Sequence, residues 1–283
     1  MPEQNQSDED KKIVQAVADP IVNSPYEEPT QFWQYSKEGE PQLITSHRRE
    51  ASYWFKSKRT GTEQMELFAE EESDTLPLVN LLRKDVAKWR SSGYRGASPV
   101  TKDLLNHWKD QMEPRRLFFC QREAVETMVY LLEMRMTPGR SARTGYRNFE
   151  VSDEDIQLML AGEEPLGKDL KSGMKRTLVD QPNDEDLMSL VRLGCKMATG
   201  SGKTVVMAML ISWSFCNRGK NPASQEFPNA VLVCCPNLTV KNRLQVLRPD
   251  SKDNYYDEFG LVLAKYRGFL NTGKVLVTNW HVF

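Results

Sequence analysis

The chain has 283 residues, 39% of them hydrophobic and 27% charged, enough for one or two globular domains with a real core. Its longest apolar stretch, residues 205–215, is eleven residues long, against the roughly 20 a membrane-spanning helix needs, so a membrane protein is excluded. The opening MPEQNQSDEDKK is no basic-then-apolar leader, and the five cysteines (Cys120, Cys195, Cys216, Cys234, Cys235) lack C-x-x-C spacing. Both features point to the cytoplasm and to reduced thiols rather than a disulfide frame or zinc site. The net charge of −1 is unevenly spread. Residues 192–283 carry twelve basic and five acidic groups, so a polyanion would be met locally, through that third.

Residues 1–20 are polar and acidic without an apolar period, which predicts disorder. The strand-like text of 25–55 predicts a hairpin, Phe32-Trp33-Gln34-Tyr35 and Gln42-Leu43-Ile44-Thr45 flanking Lys37-Glu38-Gly39-Glu40-Pro41. Helical spacing predicts helices over 76–90 (Leu78, Leu81, Leu82, Val86, Trp89) and 100–111 (Leu104, Leu105, Trp108), with these stripes as core. A third helix is expected over 120–134, closed by Thr137-Pro138-Gly139. Residues 139–188 read as an acidic insertion with one short helix from Ser152 to Gly162. Its acidic runs, Asp153-Glu154-Asp155 and Asp184-Glu185-Asp186, are taken as helix N-terminal charges rather than a metal site.

From Leu190 the pattern changes. A strand is expected over 190–197, a helix over 204–217, and a strand buried on both faces over 230–235. A short helix over 240–247 and a strand over 274–278 follow. Strand, helix, strand, helix, strand predicts an α/β domain with a parallel sheet. The domains are thus set at 21–113, a hairpin plus helices, and 114–283, the α/β part with its insertion at about 139–188.

The chemistry is carried by Met197-Ala198-Thr199-Gly200-Ser201-Gly202-Lys203-Thr204. Gly200 and Gly202 can turn successive N–H groups inward as a cradle for phosphate oxygens, and the helix N-terminus adds its partial positive charge. Thr199, Gly200, Ser201, Gly202, Lys203 and Thr204 are therefore the candidate ATP-binding residues. Lys203 reaches the β- and γ-phosphates as the catalytic cation, and the Thr204 hydroxyl ligates Mg²⁺. The general pattern G-x-x-x-x-G-K-[ST] asks for glycine at 197, where this chain has methionine. At the two later strand ends, Pro236, Asn237, Thr239, Lys241, Thr278 and Asn279 could hold a DNA phosphate chain, although Pro-Asn-Leu-Thr also fits a plain turn and helix cap.

The form A-T-G-S-G-K-T is typical of superfamily 2 helicases and translocases. The chain resembles the N-terminal part of a type III restriction endonuclease Res subunit, a DEAD/DEAH-box-like superfamily 2 protein. The likeness runs through NSPYEEPTQFW, RLFFCQREAVETMVYLLE, KMATGSGKTVVMAMLI, VLVCCPNLTVKNRL, DNYYDEFGLV and GKVLVTNWHVF. It implies a truncated RecA-like P-loop NTPase domain after a mixed, mainly helical N-terminal region, and a DNA-dependent ATPase and translocase activity. It also implies Gln121 on the adenine edge, with an exposed helix residue as the plain alternative. VLVCCPNLTVK and LVTNWH become DNA-contacting motifs, and a modification methyltransferase subunit a candidate partner.

No strand ending in Asp-Glu follows Thr204, and Asp257-Glu258 lacks an apolar strand before it. A second RecA-like domain and a nuclease site are not found either. The expectation is a fragment that binds nucleotide weakly and hydrolyses it negligibly. The competing reading is a non-catalytic nucleotide- or DNA-binding remnant. A small-molecule kinase on the same loop is disfavoured by Met197 and by the lack of a lid-like arginine pattern.

Overall fold

A computed structural model describes residues 17, 19–34, 40–56, 71–137, 149–161, 163–173 and 191–282, in two compact units, 1–49 and 50–283. The first unit holds the two strands of the predicted hairpin, whose Tyr35 and turn residues Lys37, Glu38 and Gly39 lie outside the described residues. Strand β1 (Phe32–Gln34) pairs antiparallel with β2 (Gln42–Ile44), Phe32 opposite Ile44. Asn23 organises its approach, accepting from the N–H groups of Thr30 and Gln31 and donating to the Gln31 carbonyl. The disorder expected over 1–20 concerns residues almost wholly outside the described ones.

The second unit opens with an antiparallel pair, β3 (Ser52–Lys56) and β4 (Glu71–Thr75). Strand β4, EESDT, has no apolar alternation, and nothing in its text announces a strand. Helices α1 (Pro77–Ser91) and α2 (Pro99–Asp110) follow, within two residues of expectation. Proline occupies the first turn of each, where no N–H is needed, and the Ser98 hydroxyl caps α2 by accepting from Thr101 N at 3.0 Å. Their stripes are core as expected, with Val86, Trp89, Leu104 and Trp108 at 0–2% exposure.

The third helix differs from its expectation. Helix α3 (Phe119–Val129) continues as a π-helical turn, Tyr130–Arg135. That turn carries Glu133 and Arg135 into the interior, at 1% and 4% exposure. Glu133 accepts from Ser98 N and the Thr101 hydroxyl, both at 2.6 Å, and from the Trp213 indole at 3.0 Å. Arg135 donates to Asp153 at 2.7 Å and to the Val151 carbonyl at 2.6 Å, and lies 3.7 Å from Asp85. The predicted short helix is α4 (Asp153–Leu160), capped by Ser152, and α5 (Lys168–Gly173) follows. Asp153, Glu154 and Asp155 do sit in the first turn of α4. Asp184, Glu185 and Asp186 lie outside the described residues.

Helix α6 (Lys203–Lys220) is apolar nearly all round and runs through the core, with Val205, Val206, Ala208, Met209, Ile211 and Phe215 buried. Strands β5 (Ala230–Cys235) and β6 (Lys274–Asn279) pair parallel, from Ala230 opposite Lys274 to Cys235 opposite Asn279. Between them lie α7 (Leu238–Arg243) with a 3-10 turn (Leu244–Leu247), α8 (Tyr255–Glu258) and α9 (Arg267–Leu270). The second unit is thus mixed α/β with a small parallel sheet.

Two expectations about this sheet are corrected. Residues 191–198 form no strand: they have no regular structure, and Val191 is 45% exposed. A strand persists only where a neighbour takes its backbone groups, and β5 and β6 take each other's. Met197 alone of the stretch 191–197 packs against the core. Strand β5 is also buried on one face only. Val233 and Cys235 point inward, whereas Leu232 is 55% exposed beside Leu276 at 61%.

One surface contact ties α2 to the C-terminal part. Asp103 accepts from Lys265 Nζ at 2.5 Å and from the Tyr266 hydroxyl at 2.6 Å, and these bonds hold its carboxyl below the ordinary range. A depressed folded-state value contributes stability above the carboxylate's unfolded titration and loses it as pH falls through the folded one. Asp103→Asn should therefore lower the melting temperature at neutral pH. The difference from wild type should shrink on acidification below about pH 4. Thermal unfolding followed across that range checks it.

Candidate phosphate-binding site

The loop ahead of α6 is a turn held on one carbonyl. The Ala198 oxygen accepts from the Ser201 hydroxyl at 2.7 Å, from Lys203 Nζ at 2.8 Å and from Ser201 N at 3.4 Å. Gly200 and Gly202 take φ of +79° and +80°, the left-handed backbone expected of residues that aim successive N–H groups to one side. Gly202 is the N-cap of α6, and no side chain caps that helix. The first N–H groups of α6 cannot find partners within it, so its N-terminus offers donors and partial positive charge to an anion. Lys203 is exposed and lies back on the loop, one hydrogen bond from being free to turn to a ligand.

Gln121 meets this loop. It is 5% exposed, so the reading as an exposed helix residue does not hold. Its Oε1 accepts from Phe118 N at 2.9 Å, closing the first turn of α3. Its Nε2 lies so close to Gly202 that a Cβ there would stand 2.1 Å from it. A cavity of about 290 Å³ opens beside the pair, lined by Phe118, Gln121, Gly202, Thr204, Tyr255 and Phe259 among others. Thr204, expected to hold Mg²⁺, is half-buried on the first turn of α6 and faces this cavity.

Sequence reasoning missed Phe118, Tyr255 and Phe259 as neighbours of the loop. Their signal was the aromatic density of RLFFCQ and DNYYDEFG. The residues lie roughly 80 positions before and 50 after the glycines, and only the packing of α3 and α8 on α6 brings them together. Asp257 and Glu258, which match an acidic box in letters only, lie on α8, where Asp257 pairs with Arg267 at 2.6 Å.

The predicted DNA contacts gather at the carboxyl ends of β5 and β6, which the register sets side by side. Pro236, Asn237 and Thr239 are exposed and Lys241 half-exposed, but Thr278 and Asn279 are buried, at 7% and 9%. Asn237 caps α7, accepting from Val240 N at 2.8 Å, as its turn-and-cap alternative expected. Among the described residues no hydrogen bond joins this group to the loop of 199–204, and no cluster of three or more histidine, cysteine or acidic side chains could hold a metal. All five cysteines are free, and burial pushes the Cys216 thiol up to about 12.

Comparison with family models, with curated proteins and with solved structures found no match in any of the three.

Proposed function

We propose that residues 199–204 bind the phosphate chain of ATP, within an ATPase module of the superfamily 2 helicase and translocase kind that the Res-like resemblance implies. The observation that carries the first part is the loop itself: two left-handed glycines lead into an uncapped helix N-terminus, with a lysine as its first residue. Lys203 exchanges the Ala198 carbonyl for a phosphate oxygen, and the amides around Gly202 supply oriented donors. Mg²⁺ keeps several waters and takes phosphate oxygens, so one protein ligand, the Thr204 hydroxyl, fits its needs. When bound, it would offset charge on the phosphates.

The DNA-facing part rests on the exposed Asn237, Thr239 and the neighbouring Lys241 at the strand ends. A second reading, nucleotide binding without turnover, is favoured by one feature: among the described residues no carboxylate lines the cavity beside the loop to serve as a general base. A modification methyltransferase subunit remains a proposed partner on the resemblance alone.

Titration calorimetry with MgATP and phosphate-release assays with and without DNA test both readings. Lys203→Ala should weaken ATP binding about tenfold, the loss of one charge-assisted contact. Wild-type affinity in that variant would remove the loop from consideration. DNA-stimulated phosphate release by the wild type would decide against the binding-only reading.

A further inference from the structure

We infer that the open edge of strand β5 docks an extended peptide of another polypeptide, apolar along its length with a basic residue at its amino-terminal end. The inference stands apart from the phosphate-loop reading. A cavity of about 540 Å³ lies between β5, helix α6 and the π-helical turn that continues α3. Val231, Leu232, Val233 and Cys234 all line it, whereas among the described residues none of β6 does. Successive residues of a strand point to opposite faces, so four in a row border one space only along the strand's edge. Strand β6 occupies the other edge, so this one is free.

Backbone groups alternate as side chains do, so every second residue of β5 turns its N–H and C=O toward the cavity. Among the described residues, these groups take no backbone hydrogen bond beyond the pairing with β6. The edge also lacks the devices that blunt an exposed strand. Its sequence AVLVCC has no charge and no proline, and its register with β6 runs without a bulge. An extended chain laid there would bond to β5 along four residues, roughly 13 Å of strand.

The other walls set which side chains suit. Met207, Leu210 and Ile211 of α6, with Phe227, present an apolar surface to the inward side chains of such a peptide. That surface is fixed beforehand: Trp213 packs edge to face on Phe227, centroids 5.3 Å apart at 79°, and the Ser214 hydroxyl donates to the Pro228 carbonyl at 2.7 Å. Charge sets the direction. The described lining holds two carboxylates, Glu133 and Glu226, and no lysine, arginine or histidine. Glu226 lies four residues before Ala230, at the amino-terminal end of β5. A parallel peptide that begins with a cation therefore sets it toward Glu226, much as β6 on the opposite edge sets Lys274 opposite Ala230.

Fluorescence anisotropy on the full chain tests this with the peptide KVLVTN, the sequence of β6 that already pairs with β5, acetylated at its amino end and labelled at its carboxyl end. Saturable binding is expected. Two N-methylated forms, one at residues 2 and 4 and one at residues 3 and 5, each block one edge of the peptide. One form should bind at least tenfold more weakly, and the other as the parent does. Glutamate in place of the peptide's lysine should weaken binding, and Glu226→Lys, at an exposed position, should reverse that preference. Cys234, exposed and lining the cavity, reports the place. Mass spectrometry after maleimide labelling should find it protected by the peptide, while the exposed Cys120 reacts as before. No saturable binding, equal loss with both N-methylated forms, an unchanged preference in Glu226→Lys, or unprotected Cys234 overturns the inference. A dimer of the chain with Cys234 protected in the absence of peptide would make the occupant a second copy, and overturns it as well.

Discussion

Gly202→Ala should reduce ATP affinity about a hundredfold and lower the melting temperature of the chain. Two separable costs act at this position. At φ +80° an L-residue meets its own carbonyl, costing about 1–2 kcal/mol in a left-handed conformation. The new methyl would also stand 2.1 Å from Gln121 Nε2. That amide ends a flexible side chain, yet it is buried and tethered to Phe118 N, so it cannot swing clear without opening the first turn of α3. Relief through the loop instead would tilt the first amides of α6 away from the phosphates. Combining Gly202→Ala with Gln121→Ala removes the second cost and not the first. The double variant should therefore recover part of the melting temperature while ATP binding stays weak. Calorimetry and thermal unfolding on the three variants measure both. Unchanged affinity in Gly202→Ala alone would mean that the left-handed glycine has no part in binding.

Arg135→Met should destabilise the chain by about 3–5 kcal/mol, the usual cost of removing one partner from a buried ion pair. Arg135 and Asp85 both have fully buried side chains. The arginine also bonds to Asp153 and the Val151 carbonyl, stacks 4.0 Å over the Phe149 ring, and donates to the Tyr130 hydroxyl at 3.1 Å. Burial raises the Asp85 carboxyl above its ordinary value, against the backbone N–H groups of Glu150 and Val151 and the charge of Arg135, which pull it down. Without the guanidinium, Asp85 keeps the two amides and the weaker pull of the Lys88 charge, and Val151 O loses its donor. Asp85→Asn in the Arg135→Met chain should return part of the loss, because an uncharged amide no longer needs the cation. Urea unfolding of the single and double variants gives the comparison. A loss below about 1 kcal/mol in Arg135→Met would show the site to be wet, as exposed pairs are.

The same network explains why the segment around 149–155 is more than an appendage between a helix and a loop. The letters show an acidic stretch with a short helix. They do not show that Arg135 turns inward on a π-helical turn to receive Asp153, or that Asp85 of α1 binds the backbone at 150 and 151. Helical periodicity reports which residues face a core, and it placed Trp89, Leu104 and Trp108 correctly. It does not report where a buried charge finds its partner, since that depends on contacts between residues far apart in the chain, as Asp85 and Arg135 are.

What the chain of letters determines by itself is local. The hairpin at 32–44 follows from alternation around a turn, and the helix ends follow from Pro77, Pro99, Ser98 and Ser152. The loop of 199–204 follows from two glycines before Lys-Thr, because only glycine takes those backbone angles without strain. Tertiary structure alone decided three matters. Residues 191–198 are irregular despite strand-prone text, since a strand needs a neighbour and none of the described residues supplies one. The outer face of β5 and β6 is open, because alternation of side chains says which face is which and not whether anything covers it. Gln121 and the rings of Phe118, Tyr255 and Phe259 stand beside the glycines, because packing of distant helices on α6 is written in no local pattern.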